Sequence, residues 1–258
     1  MSAADELEGR VVLVTGASGG IGSVTAAALG ACGAAVIAHY GSNREGAEAA
    51  VSALPDDRRR LIQSDLSTPG AARTLFAEAL ASYGRVDVVV VNAAILRETP
   101  LDGSDELWDE HWDTTVRVNV LEPVSLMREA VCHFLANGDG GTIVALSSWA
   151  AERGSAIASL AAYAASKAAV RNVAQTIAHN YAKDGILAYV VAPGIVHTPM
   201  SKISATARGG IDAVNAALAM GEMVPPSEIA DLIVFLATGQ ARHLSGATID
   251  VNGATYIR

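Results

Sequence analysis

The chain has 258 residues, 51% of them hydrophobic, and carries a formal net charge of -9 from 27 acidic and 18 basic side chains. That charge works against nucleic acid and anionic membranes as partners, while leaving room for a local basic pocket. Apolar stretches are short and broken by Gly, Ser or charge, so none approaches the roughly 18 residues of a membrane span. The acidic opening MSAADELEGR lacks the basic and apolar regions of a signal peptide, and the expected location is the cytoplasm.

In chain order, β-branched apolar runs recur between helical patterns at Val11–Thr15, Ala35–His39, Leu61–Ser64, Val86–Val91, Thr142–Ser147, Leu187–Ala192 and Thr248–Val251. Near-continuous runs such as VDVVVV suit strands covered on both faces. The expectation is α/β: a single-domain, Rossmann-type, doubly wound parallel sheet of seven strands with helices on both faces, spanning residues 1–258. No linker, repeat or low-complexity tract argues for a second domain. Such a sheet leaves a crevice at the carboxyl ends of its strands, where a dinucleotide can lie.

Directly after the first run comes Thr15-Gly16-Ala17-Ser18-Gly19-Gly20-Ile21-Gly22, then an alanine-rich helical pattern. Glycines let such a turn close and bring backbone amides against a pyrophosphate, which the helix N-terminus also favours. Gly16, Ser18, Gly20, Ile21 and Gly22 are therefore candidate phosphate-loop residues. The same letters match a G-x-S-x-G nucleophile elbow at Ser18. An elbow after the first strand comes early for a hydrolase, however, and no later Asp and His stand out as partners.

The second run ends in Tyr40-Gly41-Ser42-Asn43-Arg44, where an NAD-specific site carries an acid for the ribose 2'-hydroxyl. No acid stands there. With Tyr40 beside them, Ser42, Asn43 and Arg44 offer neutral and cationic donors, so NADP(H) is favoured, with NAD(H) as the alternative if Arg44 merely opens a helix and points into solvent.

Tyr163-Ala164-Ala165-Ser166-Lys167 begins a helical pattern, so Tyr163 and Lys167, four residues apart, project from one face. A tyrosine titrating near ~10 is a poor acid-base group at neutral pH, and an ammonium beside it together with the cofactor's cationic nicotinamide would favour the phenolate and bring that value toward working range. Taken singly, such a pair also arises on half-exposed helix faces.

Together, and in this order over nearly the whole chain, the motifs resemble the short-chain dehydrogenase/reductase family, in the branch of 3-oxoacyl-carrier-protein reductases and glucose and polyol dehydrogenases. The residues that carry the resemblance are Gly-x-x-x-Gly-x-Gly at 16–22, Asn92-Ala93-Ala94, Asn119, Ser147-Ser148, Tyr163 with Lys167, and Pro193-Gly194-Ile195-Val196-His197-Thr198. Val91 and Ala94 depart from the family's Asn-Asn-Ala-Gly. The resemblance implies an NAD(P)-dependent oxidoreductase that exchanges a hydride with a small ketone or secondary alcohol, Tyr163 acting as general acid/base. It further implies that Ser148 bonds the substrate oxygen, Lys167 bonds the nicotinamide ribose and tunes Tyr163, and Asn119 holds a water linking the lysine to solvent. Cofactor contacts are implied for Asp65 and Leu66 at the adenine, Asn92, Ala93 and Ala94 on the adenosine side, and Pro193, Gly194, Ile195 and Thr198 toward the nicotinamide. Ser148 precedes Tyr163 by fifteen residues, two more than the family spacing, which places an insertion within 149–160 beside the substrate pocket.

A dinucleotide-sensing protein of the same fold is the rival reading, but a sensor has no need of four groups for proton transfer. Cys32 and Cys132 lie far apart in apolar helical patterns and read as buried, reduced thiols, and six scattered histidines lack the spacing of a metal site, so no metal is expected. Residues 197–223 read as a substrate lid, with Met200, Ile203, Ile211, Leu218 and Met220 hinting at an apolar pocket. Cys132–Asp139 contains no Lys or Arg to meet an acidic carrier protein, which favours a free small-molecule carbonyl or alcohol. The resemblance also implies a homotetramer, with the helices of Asn119 and Tyr163 at one interface.

Overall fold

The computed structural model describes residues 6–201 and 209–257. Strand β1 (Val11–Val14) leads to helix α1 (Gly20–Ala31), β2 (Ala35–Tyr40) to α2 (Arg44–Ala50), β3 (Arg59–Gln63) to α3 (Ala71–Tyr83), and β4 (Val88–Val91) to α4 (Asp105–Val116). A π-turn at Arg117–Leu121 joins α4 to α5 (Glu122–Asn137). Then follow β5 (Gly141–Leu146), α6 (Ala150–Arg153), α7 (Ala161–Tyr181), β6 (Ile186–Pro193), α8 (Ile211–Ala216), α9 (Pro226–Ala237) and β7 (Thr248–Val251).

All seven strands pair in parallel in the order β3-β2-β1-β4-β5-β6-β7. The order reverses between β1 and β4, where neighbouring crossovers leave to opposite faces and open a crevice at the carboxyl ends. Alternation along each strand feeds two cores. Val11 and Leu13 pack with Leu75 and Phe76 of α3, Met127 and Phe134 of α5 and Val170 of α7, whereas Val12 and Val14 pack with Leu29 of α1 and Ile229 and Ile233 of α9. This two-sided burial is why the strands read as continuous apolar runs.

Two buried acids hold backbone amides at positions that the apolar pattern leaves open. Asp87, just before β4, accepts from Val11 N at 2.8 Å and pairs with Arg85. Glu122 reaches across to the start of α3 and accepts from Gly70 N at 3.0 Å and Ala72 N at 2.9 Å, supplying amides that no intrahelical carbonyl can meet.

The expectation of two buried thiols is corrected: Cys132 is exposed and Cys32 only partly buried. The buried stripe of α5 runs through Leu126, Met127, Ala130, Val131 and Phe134, and residue 132 falls off it. Among the described residues no helix is long and apolar enough to cross a membrane.

Candidate active site

The turn after β1 is shaped by steric demands on its glycines. Gly16 and Gly20 adopt φ of 68 and 55°, in the left-handed region. A Cβ on Gly22 would stand 2.2 Å from Gly16 O and 2.5 Å from Asn92 Nδ2, so this position must stay bare for the turn to close. Asn92 completes the closure: its Nδ2 donates to Thr15 O at 2.8 Å, while Asn92 N and Ala93 N donate to Thr15 Oγ1 at 2.9 and 3.0 Å. At Gly19, by contrast, a Cβ would meet nothing within 4 Å, and no side chain caps the N-terminus of α1. An open turn against uncapped helix amides fits the phosphates of a dinucleotide.

This turn forms one end of a cleft of about 760 Å³ along the carboxyl ends of the strands. The cleft brings together Gly16, Ser18, Gly20, Ile21, Asn43, Asp65, Leu66, Asn92, Ala93, Ala94, Ser148, Tyr163, Lys167, Pro193, Gly194 and Thr198. Six sequence-selected residues stand off its wall. Gly22 lies behind the turn, Tyr40 and Asn119 are buried, Ile195 lines a neighbouring cavity, and Ser42 and Arg44 are exposed at the edge. Arg44 is the first residue of α2 and donates from Nη1 to Tyr40 Oη at 3.2 Å. Asn43 caps α2 by accepting from Gly46 N at 3.0 Å, and its Nδ2 donates to Ser18 O at 3.2 Å, tying the helix to the phosphate turn. Asp65 accepts from Ser67 N at 2.9 Å, which holds its carboxyl below the usual range.

His39 went unselected in the sequence, where its only signal is a polar residue within an apolar strand. It is 2% exposed. Gly16 N donates to its Nδ1 at 3.1 Å, and its Nε2 lies 2.9 Å from Ser64 O. An amide can only donate and a carbonyl can only accept, so the ring is neutral with its proton on Nε2. Burial pushes its pKa below the ordinary value, with the Ser64 bond opposing. Both ring nitrogens are occupied, which removes this nearby histidine as a base for Ser18. Arg97 also lines the cleft and also went unselected.

At the other end, the exit of β5 delivers Ser147 and Ser148 and the first two turns of α7 deliver Tyr163 and Lys167. Ser147 is committed to structure, its Oγ donating to Lys167 O at 2.9 Å. Ser148 lines the cleft beside Tyr163. Lys167, 4% exposed, donates from Nζ to Leu146 O at 2.9 Å, and Nζ lies 5.9 Å from the centre of the Tyr163 ring. Burial pushes the Tyr163 phenol up to about 12, against a hydrogen bond from Ser148, and brings the Lys167 ammonium down to about 8. In the chain alone, then, desolvation sets the Tyr163 phenol and the Ser148 bond offsets it only in part.

Asn119 sits in the π-turn, where Glu122 N donates to Arg117 O. Its Oδ1 accepts from Ile95 N at 2.8 Å and its Nδ2 donates to Ile95 O at 2.9 Å and Ser166 Oγ at 3.1 Å. Ser166 Oγ in turn donates to Tyr163 O at 2.7 Å. The Asn119 side chain therefore braces the exit of β4 against the start of α7.

A second cavity of about 300 Å³ adjoins the cleft and shares Ser148, Tyr163, Gly194, Met200 and Ser201 with it. The longer 149–160 segment supplies much of its wall, including Trp149, Arg153, Ile157 and Leu160. Of the lid's apolar residues among those described, Met200 and Val214 line it. Ile211 and Met220 are exposed and Leu218 packs on Val214 and Met223, whereas Ile203 lies outside the described residues.

A family model for short chain dehydrogenases matches residues 10–208. The chain is 34% identical over 257 residues to 3beta-hydroxysteroid dehydrogenase 1 of Eggerthella lenta, covering 96% of this chain and 94% of that protein. It is 33% identical over 251 residues to the 3-oxoacyl-[acyl-carrier-protein] reductase FabG of Escherichia coli, covering 97% and 98%. Among solved structures, the promiscuous reductase LugOII, which catalyses keto-reduction at C1 during lugdunomycin biosynthesis, superposes with a TM-score of 0.85 at 28% identity, over 98% of this chain and 100% of that one.

Proposed function

Because the chain belongs to the short-chain dehydrogenase family, we propose that it is an NADP(H)-preferring oxidoreductase that interconverts a small ketone and its secondary alcohol, with Tyr163 as the proton donor and acceptor. The observation that carries this reading is the convergence of Ser148 and Tyr163 at the junction of the dinucleotide-sized cleft and the smaller cavity, with Lys167 on the cleft side. When bound, the dinucleotide supplies or takes up the hydride, two electrons, at the carbonyl carbon. Ser148 and Tyr163 hold the substrate oxygen. In reduction, the Tyr163 hydroxyl gives its proton to that oxygen, and a phenol held at about 12 is protonated at neutral pH, the state this step requires. Lys167, still an ammonium at pH 7, stands in the same cleft as a donor for the cofactor and for return of the proton. Asn119 acts one step back by fixing Ser166 and hence the start of α7.

Preference for NADP(H) is supported by the absence of an acid at positions 41–44 and by the exposed Ser42 and Arg44 at the end of β2. Leu107 and Leu121, exposed on α4 and the π-turn, support subunit contacts along these helices in a homotetramer. The functional test is cofactor oxidation at 340 nm with NADPH and then NADH over ketones, aldehydes, sugars and acyl thioesters. Turnover that is faster with NADPH and lost in Tyr163→Phe supports the reading. Cofactor binding without turnover in either direction would instead point to a dinucleotide sensor.

A further inference from the structure

The smaller cavity is the space left for the substrate under the function proposed above, on which this inference rests. Its walls are largely apolar, with Leu96, Trp149, Ile157, Leu160, Ile195 and Val214 among them. Arg153, the last residue of α6, is the one charged residue on its lining among the described residues. The guanidinium lies over the Tyr256 ring, Cζ 4.7 Å from its centre, and Nη2 donates to Ile257 O at 3.2 Å. Stacking fixes the plane of the group, and this contact uses only one of the roughly five N–H donors a guanidinium carries.

Two observations separate Arg153 from a mere clamp on the chain end. The C-terminal segment is held without it: Asn252 Nδ2 donates to Tyr256 O at 3.0 Å, and Ala219 N donates to Thr255 Oγ1 at 3.1 Å. Moreover, the ion pairs among the described residues do not include Arg153. In a chain of net charge -9, an oriented guanidinium that has no acid on this apolar lining among the described residues is matched to an anion brought from outside.

We propose that Arg153 recognises a carboxylate on the substrate, so that the preferred ketones are keto acids with an apolar body whose carbonyl lies at Ser148 and Tyr163. A single guanidinium pairs bidentately with a planar monoanion. Among the described residues, a dianionic phosphate would find no second cation on this lining. The carboxylate takes no part in the redox step and emerges unchanged.

Two measurements test this. In the first, 4-acetylbenzoate and its methyl ester are reduced with NADPH, and the ratio of their kcat/KM is compared in wild type, Arg153→Met and Arg153→Lys. The expected ratio favours the acid by about tenfold at low salt, is carried by KM, collapses in Arg153→Met and survives partly in Arg153→Lys, which keeps the charge without the fork. In the second, binding of 2-naphthoate and 2-naphthamide to the NADPH-loaded protein is followed by cofactor fluorescence, with thermal melting as a check on folding. Naphthoate should bind more tightly than the amide in wild type only. Equal binding of the two probes, or a preference that persists in Arg153→Met, overturns the proposal whatever the rates show. Tighter naphthoate binding that depends on Arg153, without turnover of any ketone, would sustain the anion site and overturn the oxidoreductase reading.

Discussion

Lys167 Nζ is bonded to the Leu146 carbonyl at 2.9 Å and stands 5.9 Å from the centre of the Tyr163 ring, so the ammonium is tethered to the sheet and not to the phenol. Lys167 is buried and Tyr163 half-buried on the cleft wall, and desolvation penalises the charged form of each. The phenol is held at about 12 and the ammonium at about 8, which keeps the tyrosine protonated and the lysine charged at neutral pH.

The lysine makes a signed prediction for stability. Its value in the folded chain, about 8, lies below the ordinary lysine value of 10.5, so between those limits the unfolded chain binds more protons and stability rises with pH. Below about 8 both states are protonated and the slope from this group vanishes. Urea unfolding of the protein without added dinucleotide, from pH 7 to 9.5, should show this rise as a difference between wild type and Lys167→Met. A difference that is flat with pH would show that the ammonium is solvated in the folded state.

Tyr163→Phe should lower kcat by about 10² to 10⁴-fold, the range for a lost acid-base group, while the dissociation constant for NADPH changes little. Stopped-flow turnover and fluorescence titration give the two numbers. Substantial residual turnover would reassign the proton donor.

His39 predicts an acid limb. Its pKa is lowered in the fold, so its contribution to stability is complete above the unfolded value of about 6.5 and is lost as pH falls through the lowered one. A protonated ring cannot accept from Gly16 N, which places the loss at the phosphate turn. NADPH affinity and urea midpoints should therefore fall together below about pH 6 in wild type, with a weaker pH dependence in His39→Gln. An affinity independent of pH down to about 5 would remove His39 from this role.

Two glycines one turn apart should behave differently. In Gly22→Ala the new Cβ meets Gly16 O at 2.2 Å, and we expect a loss of about 1 to 3 kcal/mol in stability together with weaker NADPH binding. Gly19 is extended and its Cβ would meet nothing in the chain, so Gly19→Ala should melt near the wild-type temperature yet bind NADPH less tightly. Unimpaired binding in Gly19→Ala would move the phosphates away from this turn.

Much of this molecule is legible without coordinates. Strand alternation, the glycine pattern at 16–22 and the four-residue spacing of Tyr163 and Lys167 are local properties, set by backbone periodicity and by which side chains a turn can accommodate. The strands, the fold class and the gathering of most of the selected residues in one cleft follow from them. Boundaries moved by one or two residues, as at β3, which begins at Arg59 and not Leu61, because edge pairing with β2 extends past the apolar run.

The proton states and the finer contacts belong to the tertiary structure. His39 owes its tautomer to Gly16 and Ser64, 23 and 25 residues away, and the side chain of Asn119 owes its role to Ile95 and Ser166, 24 and 47 residues away. Arg153 meets Ile257 across 104 residues. Sequence pattern by itself determined which chemical groups recur at which local spacing. Only the folded chain decided how deeply each is buried and which partner it meets, because desolvation and hydrogen bonding depend on atoms brought together from distant parts of the chain.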